Sequence, residues 1–143
     1  MNSNRYLIIA LIILFTRAIG SSAQTIDTTY IYGRWQWIQS SGGPNEDVIT
    51  PAAMGFSQEL EFTQDGIEKR SRNGVMESEK PFTFIVGESW WEQRKTEYLI
   101  KYASAGAPPA SIKFEGRDTL FIHEVCNNCY GHIYIRKKVR SGK

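Results

Sequence analysis

The chain has 143 residues, and 17 Lys or Arg against 15 Asp or Glu give it a formal net charge of +2. The basic excess consists of Arg5 and Arg17, so the part of the chain beyond residue 23 is neutral. Proteins that bind nucleic acid usually carry a basic excess or a basic stripe, so the composition argues against nucleic acid as a partner. Residues 24–143 are enough for one domain with a core of its own.

Residues 1–23 have the layout of a secretory signal peptide. An apolar run covers residues 6–15, and the small residues Ser21 and Ala23 occupy the −3 and −1 positions of a cleavage site. The run is shorter than the roughly 20 residues of a transmembrane helix, although Arg17 behind it leaves an uncleaved anchor as the alternative. We therefore expect cleavage after Ala23, a secreted or periplasmic protein, and no membrane span in the mature chain.

Short strands dominate the rest of the chain. Alternation of charged and apolar residues over Glu59–Thr63 is typical of a half-buried strand. The Asn-Gly pair at Asn73 predicts a hairpin turn, and Thr50 before Pro51 predicts one capped helical turn. Eight short strands at regular spacing predict an antiparallel sandwich or barrel. The predicted strands are 30–40, 59–63, 67–72, 82–86 with a backward extension over 75–79, 97–103, 111–115, 118–125 and 130–138.

The last two predicted strands form a hairpin with Asn127 and Asn128 in the turn. Because side chains alternate between the two faces of a strand, this register sorts the hairpin into a core face and an opposite face. The predicted core face carries Leu120, Ile122, Ile133 and Ile135. The predicted opposite face carries Phe121 with Tyr134, His123 with His132, and Thr119 with Arg136.

Cys126 and Cys129 face each other in this hairpin, within bridging distance. An exported protein meets an oxidising compartment, so we expect a disulfide here. A thioredoxin-like redox pair is the weaker alternative, because such a pair normally lies at a helix N-terminus. The spacing His-x₂-Cys-x₂-Cys-x₂-His also suggests zinc, which needs four converging ligands. The hairpin keeps histidines and cysteines on different faces, so we expect no metal site.

Nothing in the chain predicts catalysis or a cofactor. His123 and His132 are accounted for as strand residues, and the sequence contains no nucleophile motif, phosphate loop or cofactor fingerprint. We therefore expect a protein that is not an enzyme. Aromatic residues fall on the predicted inward phase of several strands, where they either fill a small barrel or line a ligand cavity.

An ordered series of short motifs covers about residues 30–138. The motifs are Gly33-Arg34-Trp35, Ser41-Gly42-Gly43, Ile49-Thr50-Pro51, Phe62 to Gly66, Asp118-Thr119-Leu120, Cys126 to Tyr130, and Tyr134-Ile135-Arg136. In this order they resemble the small bacterial secreted lipocalin-like domains of the lipocalin or calycin superfamily. The resemblance implies an up-and-down, eight-stranded antiparallel barrel. It also implies that Trp35 closes the barrel base, with Arg136 packed across it.

The leading functional hypothesis is an exported protein that binds a small apolar or amphipathic ligand inside such a barrel. The alternative is a packed barrel that binds another protein through its surface or loops, as an inhibitor or an envelope component. The residues predicted to contact a ligand are Trp37, Phe62, Phe84, Tyr98, Ile100, Tyr102 and Phe114.

Overall fold

The chain folds almost entirely into short antiparallel strands in a computed structural model, which describes residues 27–90 and 96–138. The predicted signal peptide lies outside these residues. In chain order the elements are a 3₁₀ helix η1 (Thr28–Ile31), β1 (Gly33–Gly42), β2 (Asp47–Ile49), α1 (Pro51–Met54), β3 (Gln58–Phe62), β4 (Ile67–Arg72), β5 (Val75–Glu88), β6 (Thr96–Tyr102), β7 (Ala110–Glu115), β8 (Thr119–Glu124) and β9 (Tyr130–Arg136).

Strand β1 and strands β3 to β9 form a closed barrel. Each strand pairs antiparallel with the next along the chain, and β9 returns to pair with β1. The prediction of an all-β, eight-stranded antiparallel barrel is therefore confirmed. The short strand β2 was not predicted, and it pairs with the last three residues of β1. The predicted helical turn is present as α1, where the Thr50 hydroxyl accepts the Ala53 N–H at 3.3 Å.

The end of the barrel beside η1, here called the base, is filled by side chains. Trp35 is fully buried, and its Nε1–H donates to the carbonyl of Ile31 at 2.6 Å. The guanidinium carbon of Arg136 lies 4.1 Å from the centroid of the Trp35 ring. Arg136 also donates to the carbonyl of Tyr32 at 3.0 Å and to that of Arg117 at 2.8 Å. One side chain of the last strand thus connects η1, the first strand and the β7–β8 turn.

Gly33 makes this arrangement possible at the start of β1. Its φ of +114° lies in a region that residues with a side chain rarely adopt. A Cβ at this position would lie 3.2 Å from Nη1 of Arg136. Glycine therefore allows the chain to turn from η1 into β1 while Arg136 crosses close to the backbone.

The predicted register of the β8–β9 hairpin is wrong by one residue. Leu120 pairs with Tyr134, and Ile122 pairs with His132. The strands end at Glu124 and begin again at Tyr130, so the connection has an odd number of residues instead of the predicted even number. A shift of one residue moves every side chain of a strand to its other face.

This shift changes which side chains of β9 point into the barrel. Tyr134 is buried among the core residues, and Ile135, predicted to be in the core, is 42% exposed. His132 faces inward with Tyr134, whereas His123 lies on the outer face of β8. The sequence predicted that the two histidines share a face, and this prediction is wrong.

Candidate ligand site in the barrel lumen

A cavity of about 160 Å³ lies inside the barrel, beneath the β6–β7 loop. We call this part of the barrel the loop end. The cavity wall contains both apolar and polar side chains. Its lining residues are Leu60, Arg70, Lys80, Tyr102, Ser104, Ala107, Pro108, Ala110, Ile122, Glu124, His132 and Tyr134.

Strand β4 brings two charged side chains into the lumen. In the β3–β4 register, Glu68 pairs with Phe62 and Arg70 pairs with Leu60, so both charged residues share the inward phase of β3. Glu68 is 1% exposed. The Arg70 Nη2 donates to Glu68 Oε1 at 3.3 Å, and the Tyr102 hydroxyl donates to the other carboxylate oxygen.

The pairing of Arg70 with Glu68 leaves donor capacity on the guanidinium. A guanidinium carries several N–H donors in a fixed plane, and within the described residues the buried Nε of Arg70 has no hydrogen-bond partner. Burial by itself lowers the pKa of Arg70, but Glu68 and neighbouring tyrosines outweigh it, and the pKa is raised overall. Arg70 is therefore a cation with an unused donor inside the barrel.

The tyrosines of the lumen remain protonated at any physiological pH. Burial raises the pKa of Tyr102, and the negative charge of Glu68 raises it further. Burial also raises the pKa of Tyr134. The Tyr102 hydroxyl therefore stays protonated and can donate a hydrogen bond to Glu68. This bond fixes the position of the carboxylate, which in turn positions Arg70.

A second set of hydrogen-bonded side chains lies in the lumen and begins on β1. The Trp37 Nε1–H donates to Ser40 Oγ at 2.8 Å, and Ser40 Oγ lies 2.6 Å from His132 Nδ1. Trp37 and Ser40 both face inward because a bulge interrupts the β1–β9 register between Trp37 and Gln39. Strict alternation along β1 would have placed Gln39 inside instead of Ser40.

His132 is neutral in this environment. Burial lowers its pKa from 6.5 to about 4, with smaller contributions from the charge of Arg70 and from His123. The Ser40 hydroxyl bridges Trp37 and His132, and the direction of its bond to Nδ1 of His132 depends on the histidine tautomer.

A larger groove of about 450 Å³ lies on the outer face of the barrel. The Trp90 ring stacks on His123 with 4.1 Å between ring centroids, and the Trp90 N–H donates to Ser111 Oγ at 2.9 Å. The groove is lined by Ser41, Gly42, Glu46, Trp90, Phe121, His123, Gly131, His132 and Ile133. Its wall is mainly apolar, whereas the lumen carries charged groups held by defined partners, so we take the lumen as the candidate site.

The residues predicted to contact a ligand are distributed over the barrel. Tyr102 lines the lumen cavity, and Tyr98 is 39% exposed. Trp37 stacks on Phe56 with a centroid distance of 5.8 Å. The others belong to the packed core or lie against it: Phe62, Phe84, Ile100 and Phe114.

Sequence reasoning missed Glu68, Arg70 and His132 as residues of the lumen. The signal for the first two is the composition of β4, whose Ile67–Arg72 segment has charged residues on both phases. Such a strand must direct some charge inward when it closes a barrel. His132 was missed because the predicted hairpin register placed it on the opposite face.

The structure brings the sulfur atoms of Cys126 and Cys129 to disulfide-bonding distance, as the sequence predicted, with the Cα atoms 5.6 Å apart. Within residues 27–90 and 96–138, the group of metal-ligating side chains that lies close together is Glu124, Cys126 and Cys129. Both sulfur atoms of this group are engaged with each other.

No family model, curated protein or solved structure matches this chain. Among the residues that the structure describes, no helix combines the length and the apolar character that crossing a membrane requires.

Proposed function

We propose that this protein is an exported binding protein without enzymatic activity, which holds a small amphipathic molecule in the lumen of its barrel. The observation that carries the proposal is the cavity at the loop end, whose wall combines the apolar Leu60, Ala110 and Ile122 with the polar Arg70 and His132. Membership of the lipocalin superfamily is part of this proposal. It is supported by the up-and-down topology and by the packing of Arg136 on Trp35.

The cavity volume limits the size of the ligand. An engineered protein cavity of about 150 Å³ accommodates a benzene molecule, and the volume here is about 160 Å³. The ligand expected is therefore a single ring or a short chain with one small polar group. A long acyl chain or a fused ring system would need the aromatic core of the base to move.

The experiment is a calorimetric titration of the mature protein with benzoate, benzamide and benzylamine, together with native mass spectrometry of the purified protein. Ala110 lines the cavity and is 1% exposed, so Ala110→Leu should fill the space and weaken binding of every probe by at least about tenfold. Ala52→Leu, an exposed position on α1, is the matched control and should bind as the wild type does.

Thermal unfolding of both variants establishes that they are folded. If the wild type takes up none of the three probes and no small molecule copurifies with it, lumen binding is wrong. Binding that is equal in Ala110→Leu and the wild type would also contradict it, because the probe would then lie elsewhere.

The alternative function, protein binding through the outer surface, is favoured by the outer groove. Trp90, at its wall, is 38% exposed, and Ile135, on the outer face of β9, is 42% exposed. Exposed apolar groups of this kind are common at protein interfaces. A lumen that binds none of the probes would make this alternative the better explanation.

A further inference from the structure

We infer that the ligand of the lumen carries a carboxylate and that Arg70 is the residue that binds it. The inference rests on the proposed function, since it names the chemical class of molecule that the same cavity accepts. It starts from the donors and acceptors that the described residues leave unused.

Arg70 has more donors than its protein partners use. One Nη2–H contacts Glu68 at 3.3 Å, and the Nε–H is buried with no partner among the described residues. A buried donor without a partner is costly, and the great majority of such groups in proteins are satisfied by protein, water or ligand. Because the Nε is itself buried, a ligand in the cavity would meet the rest of the Arg70 side chain, which lines the wall.

Glu68 positions Arg70 but does not compete for this donor. Its two oxygens are engaged separately, one with Arg70 and the other with the Tyr102 hydroxyl. The carboxylate is 1% exposed and is not part of the cavity wall. A ligand would therefore meet Arg70, which lines the cavity, and would not have to displace Glu68, which does not.

The other polar groups of the wall also favour an acceptor. Lys80 contributes a second cation, and His132, which is neutral, adds no negative charge. Glu124, the acid among the lining residues, is exposed at the end of β8. The charged groups around the cavity are thus two cations, one exposed acid and one buried acid that is already bonded.

A carboxylate fits this set of groups better than a neutral amide of the same shape. A carboxylate only accepts hydrogen bonds, whereas an amide presents its own N–H donors to Arg70 and Lys80. Hydrogen bonds between charged groups are also stronger than those between neutral ones. The rest of the ligand would contact Leu60, Ala110 and Ile122, so a small organic acid is expected rather than an inorganic anion.

Benzoate and benzamide test this inference because they have nearly the same shape. They differ in charge and in the N–H hydrogen-bond donors of the amide. Calorimetry near pH 7 should give the wild type a preference of at least about tenfold for benzoate. Arg70→Gln should abolish the preference while binding of benzamide changes little. Arg34→Gln is the matched control, because Arg34 pairs with Glu61 on the outer face and its loss changes the net charge equally. This control should keep the preference.

Arg70→Gln leaves Glu68 buried without its cation, so two further measurements guard against a variant that does not fold. The double variant Glu68→Gln with Arg70→Gln removes both charges and should also lose the preference. In the unaltered protein, the NMR signal of the Arg70 Nε–H should shift on addition of benzoate and saturate with the calorimetric Kd.

The outcomes separate the inference from the function on which it rests. Equal affinity for benzoate and benzamide, both abolished by Ala110→Leu, would overturn the carboxylate assignment and leave lumen binding intact. A preference that Arg34→Gln reduces as much as Arg70→Gln does would show attraction by net charge alone, and would overturn the role of Arg70. Failure of all probes, with no small molecule copurifying with the protein, would refute the proposed function itself.

Discussion

Protonation of His132 should destabilise this protein in mild acid. The folded-state pKa of about 4 lies below the value of 6.5 for a free side chain, so the unfolded chain binds a proton at a pH where the folded protein does not. For a histidine shifted in this direction, stability is complete above pH 6.5 and falls as the pH decreases towards 4. At one pKa unit per 1.36 kcal/mol, the loss between pH 7 and pH 5 is about 2 kcal/mol.

The assay is urea unfolding followed by tryptophan fluorescence at pH 7, 6 and 5, on the wild type and on His132→Asn. The asparagine side-chain amide can hydrogen-bond the Ser40 hydroxyl in place of Nδ1 but does not titrate. The pKa values of Asp27 and Asp65 are lowered below 3.8. Any stability that these two carboxylates add is therefore lost only below the pH range of the assay. The variant should therefore lose about 2 kcal/mol less than the wild type over this range. Parallel loss of stability in the two proteins would refute the assignment of a buried neutral His132.

The remaining predictions concern the base, the disulfide and processing. Trp35→Ala should cost about 3–5 kcal/mol in urea unfolding, and a variant as stable as the wild type would contradict the role of this ring at the base. Gly33→Ala should be destabilised by about 1–3 kcal/mol because of its positive φ, whereas an unchanged midpoint would show that the backbone relaxes easily. Alkylation without reduction should label neither Cys126 nor Cys129, and changing both to serine should cost about 2 kcal/mol or less because the closed loop is so short. Labelled thiols in the native protein would exclude the disulfide. Exported protein should begin at or near Gln24, and retention of the preceding residues would contradict signal-peptide cleavage.

The residues that line the lumen cavity differ from most of the ligand contacts that the sequence predicted. The sequence associated ligand binding with aromatic side chains such as Phe62 and Phe114, which pack in or against the core. The cavity instead lies where Arg70, Tyr102 and His132 meet. The proposal of an amphipathic ligand therefore depends on Tyr102, which the sequence predicted as a ligand contact, on Arg70, which it did not single out, and on His132, which it placed on another face.

The sequence by itself predicted the eight strands of the barrel and the helical turn α1, but their spacing left a sandwich or a barrel open, and the closed barrel was implied by the resemblance. Strand alternation, the Thr50-Pro51 helix start and the Asn-Gly turn at Asn73 are local signals, and each depends on residues within a few positions of one another. The eight barrel strands were therefore predictable, and so was the pairing of Cys126 with Cys129, which are separated by two residues in one turn.

Only the tertiary structure decided which side chains enter the lumen. The length of the β8–β9 connection placed His132 inside, and the bulge after Trp37 brought Ser40 to it. Glu68 and Arg70 are tolerated inside because Tyr102, more than thirty residues away, donates to Glu68. Strand register and bulges depend on contacts between distant segments, and a shift of one residue exchanges the two faces of a strand. For this reason the strands follow from local patterns, whereas the pairing of β1 with β9 that closes the barrel and the polar lumen depend on long-range contacts.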